Sequence, residues 1–309
     1  MHSPNITFVI FTQNEEKRIE YPIKCLLPYG EVLISDDNST DNTVAVSTKL
    51  GAKVIKRQFH KTPVENKEEA DFIFKQLKTD WVFWGFADEM IPKTCLDLYT
   101  KIAKENKYKI VVQNIKTLFF DNNSVILPGL INMKFFRKDS LDFTDNKIHQ
   151  IGKFAKHVRP NDLLYLPPID EYSIYHFSVD MTENLFSKYN IYTSVQARDM
   201  KSKISRFKVV TAPFAMFLTH YFFLGGWMYG IKGFIISVRF AIYSFLVYSK
   251  KYEIDNNITA QTIEEKFVKK KIELLRVSPK STIIVKLWSK MIILPLSLLH
   301  KHYKFKRFA

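Results

Sequence analysis

Short apolar runs separated by stretches of helical spacing fill the first 120 residues, the arrangement expected of βα units around a largely parallel sheet. Ile6 to Phe11 reads as a buried strand, and Asn14 followed by Glu15-Glu16 as the cap of a helix after it. Glu31 to Ser35 is a second strand. It runs through the polar stretch Asp36 to Asp41 into a helix over 42–50 that stops at Gly51. Lys53 to Lys56 is a third strand. Between Glu65 and Lys78, apolar Ala70, Ile73, Phe74 and Leu77 recur at i, i+3, i+4 and i+7, so a helix lays one face on the sheet. Trp81 to Phe86 is then a strand ending at Ala87-Asp88-Glu89. Lys109 to Ile115 and Leu130 to Phe136 look like further strands, whereas Asp142 to Pro168 is polar and punctuated by proline.

The pattern changes again towards the C-terminus. Phe214 to Ile231 carries no formal charge, and Gly233 to Ser249 is broken only by Arg239. An arginine at the centre of a membrane span costs about 2.5 to 3.5 kcal/mol on insertion scales, and Gly225-Gly226 interrupts the first stretch, so helices lying in an interface fit better than spans. A last basic amphipathic segment runs from Lys280 to Arg307. Charge sharpens this division: residues 201–309 hold 20 Lys and Arg against 5 Asp and Glu, which accounts for the whole net charge of +15 of the 309-residue chain. We therefore expect two regions, 1–205 and 206–309, the second a helical, basic and aromatic one that attaches peripherally to an anionic membrane surface. The cations are interleaved with apolar runs, not laid out as a solvated stripe, so nucleic acid is not the expected partner. Two cysteines, Cys25 and Cys95, cannot build a disulfide framework, and the N-terminus lacks the basic start and long apolar run of a secretory signal, so a cytosolic setting is expected.

In an open α/β sheet, ligands sit outside the carboxyl ends of the strands. Three of the expected strands deliver polar residues there: Thr12-Gln13-Asn14-Glu15, Asp36-Asp37 and Asp88-Glu89. A carboxylate at a strand end accepts hydrogen bonds from a base or a ribose, or holds a divalent cation against a diphosphate. Thr40 and Asp41 read as helix-capping residues instead. The order and spacing of Ile6 to Glu16, Leu33 to Thr43 and Asp80 to Glu89 resemble family 2 glycosyltransferases of the GT-A fold. Ile148-His149-Gln150 resembles a Val-His-Glu signature, and Tyr175 to Ser178, Lys188 to Thr193, Pro213 and the Gly225–Gly233 region resemble the bacterial subgroup that adds sugars to lipopolysaccharide cores or surface glycans.

The resemblance implies a nucleotide-sugar donor, a divalent cation (Mn2+ or Mg2+) and inverting transfer to a glycan or lipid-linked acceptor; with the basic tail and cytosolic setting, we expect the chain to lie peripherally on the inner face of the cell membrane. It assigns Thr12, Asn14, Glu15, Asp36 and Asp37 to the nucleotide pocket, Asp88 and His149 to the metal, and Asp88, Glu89 and His149 to catalysis. Two departures stand out. Phe86 replaces the first acid of the Asp-X-Asp motif, and Gln150 replaces the glutamate of a Val-His-Glu signature and cannot take a proton at neutral pH. Asp142, Asp145, Asp170 and Glu171 are the other carboxylates near enough in sequence to serve as base, and His176 reads as a hydrogen-bonded structural residue. The alternative to an enzyme is a non-catalytic nucleotide-sugar-binding or scaffold protein disarmed by those two departures; turnover of a nucleotide sugar separates them.

Overall fold

Seven consecutive buried residues make β1 (Ile6–Thr12), which therefore needs a layer of side chains over each face. In this computed structural model, which describes residues 5–58, 64–120, 126–127, 131–144, 146, 151–178, 182–277, 280–289 and 291, β1 pairs in parallel with β2 (Glu31–Asp36) and with β4 (Trp81–Phe86). β3 (Lys53–Lys56) extends β2 in parallel. Beyond β4 come β8 (Ile131–Arg137), antiparallel to both its neighbours, then β6 (Ile110–Phe119). β12 (Ile174–Ser178) pairs in parallel with the second half of β6, β11 (Leu163–Tyr165) with its first half, and the two-residue β5 (Glu89–Met90) antiparallel with β12. β7 (Ile126–Leu127) pairs with the end of β6, and β9 (Leu141–Asp142) and β10 (Lys153–Phe154) form a small separate hairpin. The fold is α/β with a mostly parallel sheet, as the spacing of apolar runs predicts. The polar stretch from Asp142 supplies β10 and β11, which periodicity does not resolve.

Alternation along β1 divides the core. Ile6, Phe8 and Ile10 join one cluster with Trp81, Phe83 and residues of α1 (Glu20–Leu26) and α4 (Lys93–Glu105), where Tyr99 stacks on Phe135 at 3.9 Å. Val9 and Phe11 join the other with Trp84, Phe136 and residues of α3 (Lys67–Gln76). Asn66 caps α3 by accepting a hydrogen bond from the Glu69 N–H at 2.7 Å.

The expected cap at Asn14 is corrected. Its φ of 57° is left-handed, residues 16–19 form turns, and helix α1 begins only at Glu20. Asn14 Oδ1 instead accepts from the Thr40 N–H at 2.8 Å across the sheet edge. The second expected helix is present as α2 (Thr43–Lys49), and Asp41 does act at its start, accepting from the Thr43 N–H at 3.0 Å.

The chain divides into two units, Met1–Tyr252 and Glu253–Ala309. In the first, α5 (Thr182–Asp199) leads to α6 (Arg206–Leu218), a π turn over Thr219–Phe223, a 3-10 turn over Gly226–Tyr229 and all but the last three residues of α7 (Gly230–Asp255). In the second, α8 (Ala260–Arg276) is capped by Thr259, and residues 283–289 are helical and exposed. Within the first unit, the 3-10 turn and α7 approach closely at two glycines. A Cβ on Gly233 would lie 1.8 Å from the Gly226 carbonyl oxygen. Gly233→Ala is expected to lower stability by about 1 to 3 kcal/mol through this overpacking, read as a lower urea midpoint; an unchanged midpoint contradicts the close packing.

Candidate active site

The parallel register sets Thr12 opposite Asp36 and Phe11 opposite Phe86, so the carboxyl ends of β2, β1 and β4 stop at one level. The loops that leave these three strands are therefore gathered at one edge. The loop after β1 carries Asn14, Glu15 and Arg18, the loop after β2 carries Asp37 to Thr40, and the turn after β4 carries Asp88.

Asp36 is buried and fully engaged. Its Oδ1 accepts from the Thr12 hydroxyl at 2.9 Å and from the Ser39 hydroxyl, and its Oδ2 from the Ser39 N–H at 2.9 Å. Ser39 Oγ in turn accepts from the Asn14 N–H at 2.8 Å, and Glu15 N–H donates to Thr43 Oγ1 at 2.7 Å. These bonds stitch the β1 and β2 loops into one wall. Asp41 strengthens it by accepting from the Glu16 N–H at 3.1 Å. Partial burial alone would raise the Asp41 carboxyl, but its hydrogen bonds from Thr43 and Glu16 outweigh that and hold its pKa below the ordinary value.

Two of the expected site acids turn into the protein. Asp37 pairs with buried Arg57 at 3.2 Å, and Arg57 pairs at 3.0 Å with Glu69, which has no exposed surface. Glu89 pairs with Lys134, and both side chains are buried. Lys134 Nζ also lies 4.7 Å from the centre of the Phe86 ring, a cation–π contact at the position where the family pattern has an acid. Phe86 is thus built into the edge.

Asp88 keeps part of its carboxylate exposed. His176 Nε2 lies 3.2 Å from its Oδ2, Arg18 Nη1 lies 3.9 Å from the same oxygen, and Arg18 grips Glu15 through Nε and Nη2 at 2.6 and 2.7 Å. Arg18 Nη1 itself is buried and makes no hydrogen bond. Burial pushes the Glu15 carboxyl up, with Arg18 opposing it. Burial disfavours both charged forms of the Asp88 and His176 pair, yet their mutual hydrogen bond and charge prevail: Asp88 is lowered and His176 raised. The structure therefore brings Thr12, Asn14, Glu15, Asp36 and Asp88 to one edge. Ile148-His149-Gln150 and Asp145 lie outside the described residues. Of the other candidate bases, Asp170 is held by Lys116, Asp142 accepts from the Thr144 N–H at 2.8 Å, and Glu171 is exposed.

Arg18 and Lys134 carry no role in the sequence reading, and His176 enters it only as a structural residue. A lysine flanked by Met133 and Phe135 in a strand signals a buried partner; nothing local marks Arg18. For a divalent cation, the donor chemistry fits at two positions. Asp88 offers carboxylate oxygen and His176 imidazole nitrogen, a mixed pair that Mn2+ accepts. Among the described residues no group of three His, Cys, Asp or Glu is placed to hold a metal, so the substrate would have to complete the shell.

The coupling of His176 to Asp88 is measurable. With Asp88 lowered and His176 raised, the pair stabilises the fold between the two pKa values; the contribution falls away as pH rises through the His176 value or drops through the Asp88 value. In Asp88→Asn, burial and the Lys134 charge oppose the imidazolium against Glu89 alone, so the His176 pKa, read by NMR titration of the metal-free protein, is expected to fall below the ordinary histidine value. An unshifted titration contradicts the pairing.

The Glycosyl transferase family 2 profile matches residues 7–156. A glycosyltransferase of Rickettsia typhi is 30% identical over 260 residues, 80% of this chain and 86% of its own. One of Rickettsia conorii is 28% identical over 276 residues, 84% and 95% of the two chains. A lipopolysaccharide core biosynthesis glycosyltransferase of Rhizobium meliloti is 23% identical over 256 residues, 79% and 90% of the two. A solved mannosyltransferase from Pyrobaculum calidifontis, in complex with GDP-Man and Mn2+, aligns over 81% of this chain and 88% of that chain with 12% identity and a TM-score of 0.45. With relatives of this similarity over most of its length, and with the family profile lying over the strands that build the site edge, the chain belongs to the family 2 glycosyltransferases.

Proposed function

We propose that the chain moves a sugar from a nucleotide-sugar donor to a hydroxyl of a glycan or lipid-linked acceptor, with inversion, in the synthesis of a surface polysaccharide or lipopolysaccharide. The observation that carries this reading is the part-exposed Asp88 carboxylate at the sheet edge, flanked by His176 and Arg18. Similarity to the lipopolysaccharide core enzyme of Rhizobium meliloti supports the acceptor class. Asn38 of the sequon Asn38-Ser39-Thr40 is exposed in the loop after β2 at the site edge, so a glycan there would obstruct that edge, which favours the cytosolic face of the cell membrane.

In the transfer, the acceptor oxygen bonds to the anomeric carbon as the bond to the diphosphate breaks, and the electron pair passes to the phosphate oxygen. Negative charge grows on the leaving diphosphate. Arg18, paired with Glu15 and 3.9 Å from Asp88, is the cation of this edge that would offset it, and His176 Nε2 is the nitrogen that would help Asp88 hold a metal. When bound at Asp88 and His176, a divalent cation supplies further neutralisation of that charge. Thr12, Asn14 and Glu15 line the nucleotide side, while Asp36 fixes the loop that shapes it. Asp37 and Glu89 act from behind, through Arg57 and Lys134. The acceptor proton leaves to a base other than Gln150.

Asp88→Asn is expected to abolish Mn2+-dependent binding of nucleoside diphosphates in calorimetric titration, whereas Asp41→Asn keeps binding and lowers stability by about 1 kcal/mol or less. Undiminished affinity in Asp88→Asn contradicts the reading. Phe86→Asp is expected to lower turnover of a nucleotide sugar, because it removes a ring packed on Lys134 and adds a carboxylate beside the Glu89 pair. A gain in turnover would instead support a site disarmed by Phe86.

A further inference from the structure

We infer that residues 207–234 form a lipid-docking wedge by which the unit Met1–Tyr252 lies on an anionic bilayer without crossing it. Helix α6 is apolar apart from Arg206, Lys208 and Thr211, yet none of its residues is buried. Phe207 is 81% exposed and Val210 73%; past the π turn, Phe223 is 84% and Trp227 56% exposed. A soluble surface rarely carries so much contiguous apolar area.

The backbone explains why the wedge does not span. α6 has 13 residues and contains Pro213, and the π and 3-10 turns break the chain before α7. Among the described residues, α7 is the one helix with the length and apolar character to cross a membrane, but it is tied to the body by polar bonds. Arg239 donates to Thr182 Oγ1 at 2.7 Å, Tyr243 OH to Gln196 Oε1 at 2.9 Å, and Lys250 to Thr193 Oγ1 at 2.8 Å. Pulling α7 into hydrocarbon would strand these groups. It serves as the inner support on which the wedge rests, through Phe217 against Phe234 and His220 against Phe240.

Charge selects the occupant. Residues 200–252 contain eight Lys and Arg and no Asp or Glu, and Lys201, Lys203, Arg206 and Lys208 are exposed where α6 begins. A second copy docking on the same face would oppose these cations to their own images, whereas lipid phosphates complement them. The wedge is also fixed to the site edge: Ile236 packs with Phe119 at the end of β6, beside the strand that carries His176. Docking would therefore hold that edge near the head groups.

The test is flotation of the full chain with phosphatidylcholine vesicles, with and without phosphatidylglycerol, at low and high salt. We expect binding that requires the anionic lipid, weakens with salt, and drops about a hundredfold in Phe223→Ser/Trp227→Ser, as loss of two buried aromatics implies. Both side chains are exposed, so circular dichroism should be unchanged; Phe207→Ser provides a second, independent variant. Equal binding by both variants, or salt-independent retention on neutral vesicles, overturns the proposal. So does a lipid-free dimer that the same substitutions dissociate, in place of vesicle binding. Nucleoside diphosphate binding by the variants, read in parallel, keeps failure of docking distinct from failure of the donor reading.

Discussion

With all seven residues of β1 buried and parallel partners on both sides, the register of this strand cannot slip without turning one apolar cluster into the other's place. That register puts Thr12 level with Asp36 and Phe11 level with Phe86. The polar loops after three strands must then meet at one edge. The chemistry of the protein is a consequence of where an apolar strand is forced to sit.

At that edge the carboxylates sort by whether a cation reaches them from behind. Asp37 and Glu89 are met by Arg57 and Lys134 and close into buried pairs, where removing one partner would leave an uncompensated charge. Asp36 is satisfied by hydroxyls and an N–H, which makes it a brace between loops. Asp88 meets His176 at 3.2 Å and the Arg18 charge at 3.9 Å on one oxygen, and keeps part of its carboxylate in solvent. One acid is thereby left facing outward in a frame whose other charges are already balanced. Phe86, instead of interrupting this frame, caps the Lys134 and Glu89 pair with its ring.

Local periodicity is enough to read the βα units, the helix near Ala70 to Leu77 and the acidic strand ends, because burial of a strand or one helix face leaves its mark on neighbouring residues. It fails where partners are distant in sequence. Asn14-Glu15-Glu16 has the composition of a helix start, yet Ser39 and Thr40, 25 and 26 residues on, draw Asn14 into a left-handed turn. The inward turn of Glu89 depends on Lys134, 45 residues away, and the pairing of His176 with Asp88 spans 88. No spacing rule carries such contacts. The apolar character of the C-terminal stretch is legible in the sequence, but not that α7 is held to α5 through Arg239, Tyr243 and Lys250.

If the chain works as proposed, donor and cation meet at Asp88 and His176. A crystal structure of the full chain soaked with Mn2+ and a nucleoside diphosphate, phased to show anomalous scattering from manganese, addresses this directly. The expected result is one manganese peak within bonding distance of an Asp88 oxygen and His176 Nε2, with the diphosphate on its outer side near Arg18 and the Lys134 and Glu89 pair intact. A peak elsewhere, or a nucleotide bound away from the carboxyl edge of β1, β2 and β4, would contradict it.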